Sequence, residues 1–94
     1  MAMCILPVAR AQWGVDTLVI MGAWTEDCIV ATAFESVDRY GLDCVVVEDA
    51  VATGCAAHWT SMFTMKQAYA LMQTTADFCE WMEKTENLTP CGAE

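Results

Sequence analysis

Cys28 is the residue best placed to do chemistry in the stretch GAWTEDCIVATA, residues 22 to 33. A strand-like run stops at Gly22, and a helical pattern opens at Cys28. A helix start offers unpaired backbone N–H groups and a partial positive charge. Both stabilise a thiolate, the form of cysteine that attacks a carbonyl carbon. The same N–H groups can hold an oxyanion during acyl transfer. Glu26 and Asp27 act in the opposite sense, because neighbouring negative charge disfavours the thiolate. A cation from elsewhere would have to offset them. The plain alternative is a small buried residue in a tight strand–helix turn, and a single cysteine at a helix start fits both readings.

The other reactive side chains are scattered. Cysteines stand at 4, 28, 44, 55, 79 and 91, with no CxxC pair, and His58 is the one histidine. That set gives no metal-ligand spacing, so no metal and no cofactor are expected. Cys44, Cys55 and Cys79 read as reduced, core or near-core small hydrophobes. Asp49 ends a strand-like run and reads better as a structural cap than as a catalytic acid, and His58 better as a helix-face residue than as a base.

Positioning Cys28 is the task of the elements around it. PVARAQWG (7–14) can open a helix on proline and close it on Gly14. VDTLVIMG (15–22) is too short for a helix, and its near-continuous apolar centre suits a buried strand over 16–21. From Cys28, the residues Ile29, Val30, Ala33, Phe34 and Val37 lie on one side of an amphipathic helix that Gly41 ends. DCVVVEDA (43–50) predicts a second strand, centred on 44–48, followed by a loop, VATGC. Residues 56–69 predict a helix apolar nearly all round, 70–74 a weaker third strand, and Thr74 or Thr75 a cap for a last helix through Met82. Strand–helix alternation of this kind predicts a Rossmann-like, three-layer α/β/α fold with a parallel sheet and right-handed crossovers. About three strands of it are present, as one partial domain over residues 1–94, with 84–94 a polar tail.

The residues from Val15 to Gly54 resemble the C-terminal half of the isochorismatase-like cysteine hydrolases. That family reads as a strand, then Gly-x-x-Thr-Asp/Glu-x-Cys-Val, then Thr-Ala on a helix, a Gly turn, and a strand ending in Asp-Ala. This chain offers Gly22, Thr25, Glu26, Cys28, Ile29, Thr32, Ala33, Gly41, Asp49 and Ala50, and the resemblance runs over about residues 5–83. The Trp24-Thr25-Glu26 variant is similar to a subgroup of presumed amidohydrolases. The resemblance implies that Cys28 attacks a small-molecule amide to form a thioester, which water then opens. It also implies a cis peptide at Ala23–Trp24, an oxyanion hole from the backbone N–H groups of Trp24 and Cys28, and a place for Trp24 in the substrate pocket. For Trp24 the alternative is packing against a neighbouring helix, and Thr25 reads as tying down the turn.

In the family the cysteine works with an aspartate and a lysine that precede the segment matched here. Lys66 and Lys84 fall in the last third of this chain and take neither role. The expectation is therefore part of an amidohydrolase that is inactive by itself. The alternatives are an inactive assembly module, or half of an enzyme completed by another chain. Composition agrees with an incomplete fold. A domain of 94 residues hides only about 60–65% of its unfolded surface, yet 56% of the residues are apolar. An apolar face in need of a partner follows, either a second copy in a homo-oligomer or a complementing N-terminal half.

Net charge is −9, with four basic residues against thirteen acidic ones. No basic patch for nucleic acid or anionic lipid can form from so few cations. No apolar run reaches the roughly 18 residues of a membrane span. The N-terminal stretch, interrupted by Pro7 and Arg10, does not read as a signal peptide, so a cytoplasmic location is expected.

Overall fold

The structure, a computed structural model, describes residues 6–84. Nearly all of the polar tail, together with Cys4 and Cys91, lies outside the described residues. In chain order the elements are α1 (Leu6–Trp13), β1 (Thr17–Ala23), a π-helical turn (Thr25–Ile29), α2 (Val30–Asp38), β2 (Asp43–Ala52), α3 (Ala57–Ala68), β3 (Leu71–Gln73) and α4 (Thr75–Lys84). The three strands form a parallel sheet in the order β1–β2–β3. This is the α/β fold that the alternation predicts, as a partial domain.

Side chains that alternate along the strands build one core. Leu18 and Ile20 of β1, Cys44 and Val46 of β2 and Met72 of β3 gather with Ile29, Ala33 and Val37 from the turn and α2, and with Met62 and Met65 from α3. Val46, Ala33 and Met65 are fully enclosed. Hiding a side chain of the size of Val46 or Met65 contributes about 1.5–3 kcal/mol each. The helix α4 packs against β2 and β3 but adds no side chain to this cluster. Gly41, at φ +66°, ends the α2 region, where a left-handed residue lets the chain turn back into β2.

A register shift shapes the upper end of the sheet. Ile20 pairs with Val46, but Gly22 pairs with Val51 and Ala23 with Ala52. Between the two paired segments β1 has one residue, Met21, and β2 has 47–50. The step from Val46 to Val51 is odd, so a regular strand would point the two in opposite directions. The irregularity re-aims Val51 into the same core, where it is buried. Gly22, at φ +122°, supplies the backbone freedom on the other strand. The pattern of apolar residues predicts a strand ending at 50. The observed strand runs on to Ala52 because the displaced segment pairs again with the end of β1.

Two expectations about burial are corrected. Of Cys44, Cys55 and Cys79, only Cys44 is buried, while Cys55 in the β2–α3 loop and Cys79 on α4 are exposed. Neither Cys55 nor Cys79 lies on a strand beneath a helix, so nothing encloses them. The apolar pattern all round α3 does not mean burial on all sides. Met65 is enclosed, but Trp59 is 76% and Phe63 53% exposed. Only one side of α3 has a sheet to face.

Candidate active site

The chain leaves β1 through Gly22 and a cis peptide between Ala23 and Trp24. Trp24 is extended (φ −97°, ψ 141°) and precedes the turn without giving it a side-chain cap. Its carbonyl accepts the N–H of Asp27 at 3.1 Å and that of Ile29 at 3.2 Å. The second of these is the five-residue reach of a π turn, which Val30 repeats onto the Thr25 carbonyl. Cys28 lies inside this widened turn, with its thiol free and exposed. The sequence pattern opens the helix at Cys28, but the helical backbone begins at Thr25. Periodicity misses the first turn because the residue it buries there is polar.

That residue is Thr25, wholly enclosed. Its Oγ1 lies 2.8 Å from Nδ1 of His58, on the first turn of α3. Glu26 is held from the β2–α3 loop, where the Thr53 hydroxyl donates to its Oε2 at 3.0 Å. Its Oε1 is buried without a partner among the described residues. Thr53 Oγ1 accepts the N–H of Cys55 in turn. So the turn carrying Cys28 is tied sideways at two points, to the β2–α3 loop and to α3. Sequence reasoning pairs neither Thr25 with His58 nor Glu26 with Thr53, since each contact spans about thirty residues of chain. The one legible signal is that a Thr and a Glu precede the cysteine.

Trp24 is 55% exposed, and the Cys28 thiol is exposed beside it in the chain. One shallow cleft beside the turn is lined by Thr53, Cys55, His58 and Trp59, while a groove across β2, α3 and β3 is lined by Glu48, Trp59, Phe63, Lys66 and Met72. The cations lie elsewhere. Arg39 pairs with Glu35, Lys84 pairs with Glu80, Arg10 donates to the Gly41 carbonyl, and Lys66 lines the groove. Among the described residues no cluster of three or more His, Cys, Asp or Glu side chains is placed to hold a metal.

Asp49 belongs to a different junction. Its Oδ1 accepts the backbone N–H of Thr75 at 2.8 Å and the Thr75 hydroxyl at 2.7 Å, at the start of α4. These bonds, the hydroxyl's first, hold the Asp49 carboxyl below the usual carboxylate range. Thr74 caps the same helix by accepting the N–H of Asp77. Cys44 has no exposure to react, and burial pushes its thiol up to about 11.

The profile of the isochorismatase domain family matches residues 8–77. Among solved structures, the chain is similar to an isochorismatase-like hydrolase from Alkaliphilus metalliredigens. The TM-score is 0.70 at 20% identity, over 82% of this chain and 43% of that one. At that identity the likeness establishes the fold, and the chain spans less than half the length of the structure it matches. No curated protein sequence matches.

Proposed function

The chain belongs to the isochorismatase domain family, and from that premise we propose that it is the cysteine-bearing part of a hydrolase that cleaves a small carboxamide. The observation that supports this reading is the placement of Cys28. It is the exposed thiol of a widened turn at the carboxyl end of a parallel strand, where open α/β sheets do their chemistry. The Cys28 Sγ adds to the carboxamide carbon, and the oxygen takes up negative charge facing the backbone N–H groups of Trp24 and Cys28. The C–N bond breaks, and the amine leaves with a proton. Water then opens the thioester, releasing the acid and restoring the thiol. Trp24 borders the substrate on the open side.

The turn needs a general base and a cation that the described residues do not bring to it. In this reading an aspartate and a lysine come from a complementing N-terminal segment laid along the free edge of β1. That segment also covers Met21 and Trp24, both more than half exposed. The exposure of both Cys28 and Trp24 favours completion over activity of the described part alone.

The test is ammonia release from a panel of small carboxamides. Three samples are compared: the 94-residue chain, the chain co-expressed with the N-terminal half of an isochorismatase-like hydrolase, and the same complex carrying Cys28→Ser. Turnover only in the second sample is the expected result. Equal turnover by the chain alone would remove the need for completion, and undiminished turnover in Cys28→Ser would remove Cys28 as the nucleophile.

A further inference from the structure

His58 is the single histidine of the chain, and its half-buried ring faces the one fully enclosed hydroxyl of the candidate site. Thr25 Oγ1 and His58 Nδ1 are 2.8 Å apart. A hydroxyl carries one hydrogen to donate, and a buried donor left without an acceptor is costly. Among the described residues Nδ1 is the one hydrogen-bond partner that Thr25 Oγ1 has. The hydroxyl hydrogen therefore goes to Nδ1, which makes Nδ1 the acceptor and leaves the ring proton on Nε2. The contact joins the turn that carries Cys28 to the first turn of α3, across 33 residues of chain. No side chain caps the turn from within, so this tie and the one from Thr53 to Glu26 hold it from the flank, beside the packing of Ile29 in the core.

We infer that His58 is a positioning residue: as the Nε2–H tautomer it accepts the Thr25 hydroxyl and fixes the π turn that presents Cys28. The inference deepens the reading of Cys28 as nucleophile and rests on it for its functional meaning. It acts through Thr25, and nothing in it requires His58 to touch the substrate or to move a proton.

Two measurements on the intact chain test it. In the imidazole nitrogen NMR spectrum at neutral to mildly alkaline pH, the lone histidine gives two well-separated resonances, with the proton on Nε2. Averaged resonances, or a proton on Nδ1, overturn the assignment. The second measurement is the rate of iodoacetamide alkylation at each cysteine, resolved by peptide mass spectrometry, with exposed Cys79 on α4 as internal reference. Loosening the turn disperses the backbone N–H groups that surround the sulfur, so His58→Ala slows Cys28 about threefold and leaves Cys79 unchanged. Thr25→Val has the same effect, and His58→Asn, whose amide can still bond to the hydroxyl, restores the rate. A parallel change at Cys79, no change at Cys28, or failure of Asn to rescue overturns the inference. The wild-type spectrum decides the matter even if His58→Ala does not fold. Neither readout uses amide turnover, so a completed protein without hydrolysis would sink the proposed function and leave this assignment standing.

Discussion

Two strand-to-helix junctions in this molecule have been built in opposite ways. Where β3 meets α4, Thr74 accepts the N–H of Asp77, and Asp49 accepts both the N–H and the hydroxyl of Thr75. The first backbone donors of that helix are satisfied by side chains, as at an ordinary helix start. Where β1 meets α2, Trp24 provides no cap, the backbone opens into a π turn, and polar side chains hold the turn from the flank. A capped junction is stable and has fewer donors left to offer. An uncapped one must be held from outside, and its donors stay available for a ligand. The exposed thiol of Cys28 is at the second kind.

The sharpest way to break this comparison is to remove the thiol. In the completed complex, Cys28→Ser is expected to lower amide turnover by on the order of 10³-fold or more, because the members of a catalytic set act as a unit. Steady-state ammonia release measures it. The same substitution should leave the thermal midpoint nearly unchanged, since the side chain is exposed.

Next come the ties. Thr25→Val replaces a buried hydroxyl with a methyl and leaves Nδ1 of His58 without its donor. A loss of about 1–3 kcal/mol is expected in urea unfolding, together with slower alkylation of Cys28. Asp49→Ala is the matching change at the capped junction. It should lower the melting temperature by a few degrees and leave Cys28 alkylation alone. If Asp49→Ala slowed Cys28 as much as Thr25→Val does, the two junctions would not be separate devices.

Two smaller effects follow from acid and base. The Asp49 carboxyl titrates lower in the fold than in the unfolded chain, so its contribution is present above the ordinary carboxylate range, about pH 4. It is lost as pH falls through the folded value. Melting temperature should drop more steeply with acid in the wild type than in Asp49→Asn. The Cys44 thiol is shifted upward, to about 11. Its contribution is complete below the unfolded value, about 8.5, and is lost as pH rises from there through the folded value. Cys44→Ala should flatten that alkaline limb.

Much of the fold was legible because it rests on local pattern. The apolar run of β1, the spacing of Ile29, Ala33 and Val37, and Gly41 after α2 need only neighbouring residues to be read. The position of Cys28 at the end of a strand was legible for the same reason. The widened turn around it was not, because what selects that backbone is the contact of Thr25 and Glu26 with residues 27 to 33 positions away. Asp49 illustrates both sides. Its place at a strand end pointed to a cap, but only the irregular β2 backbone shows which helix it caps.

By itself the sequence determined the alternation of strands and helices, the parallel sheet and the thiol at a strand–helix junction. Hydrophobic periodicity, glycine punctuation and a short family-like motif are all local or nearly so. Tertiary structure decided the rest. It left Cys55, Cys79, Trp59 and Phe63 exposed, turned Val51 back into the core, and joined His58 to Thr25. Burial and hydrogen-bond partners depend on which surfaces meet in space, and that is fixed by packing between elements far apart in the chain.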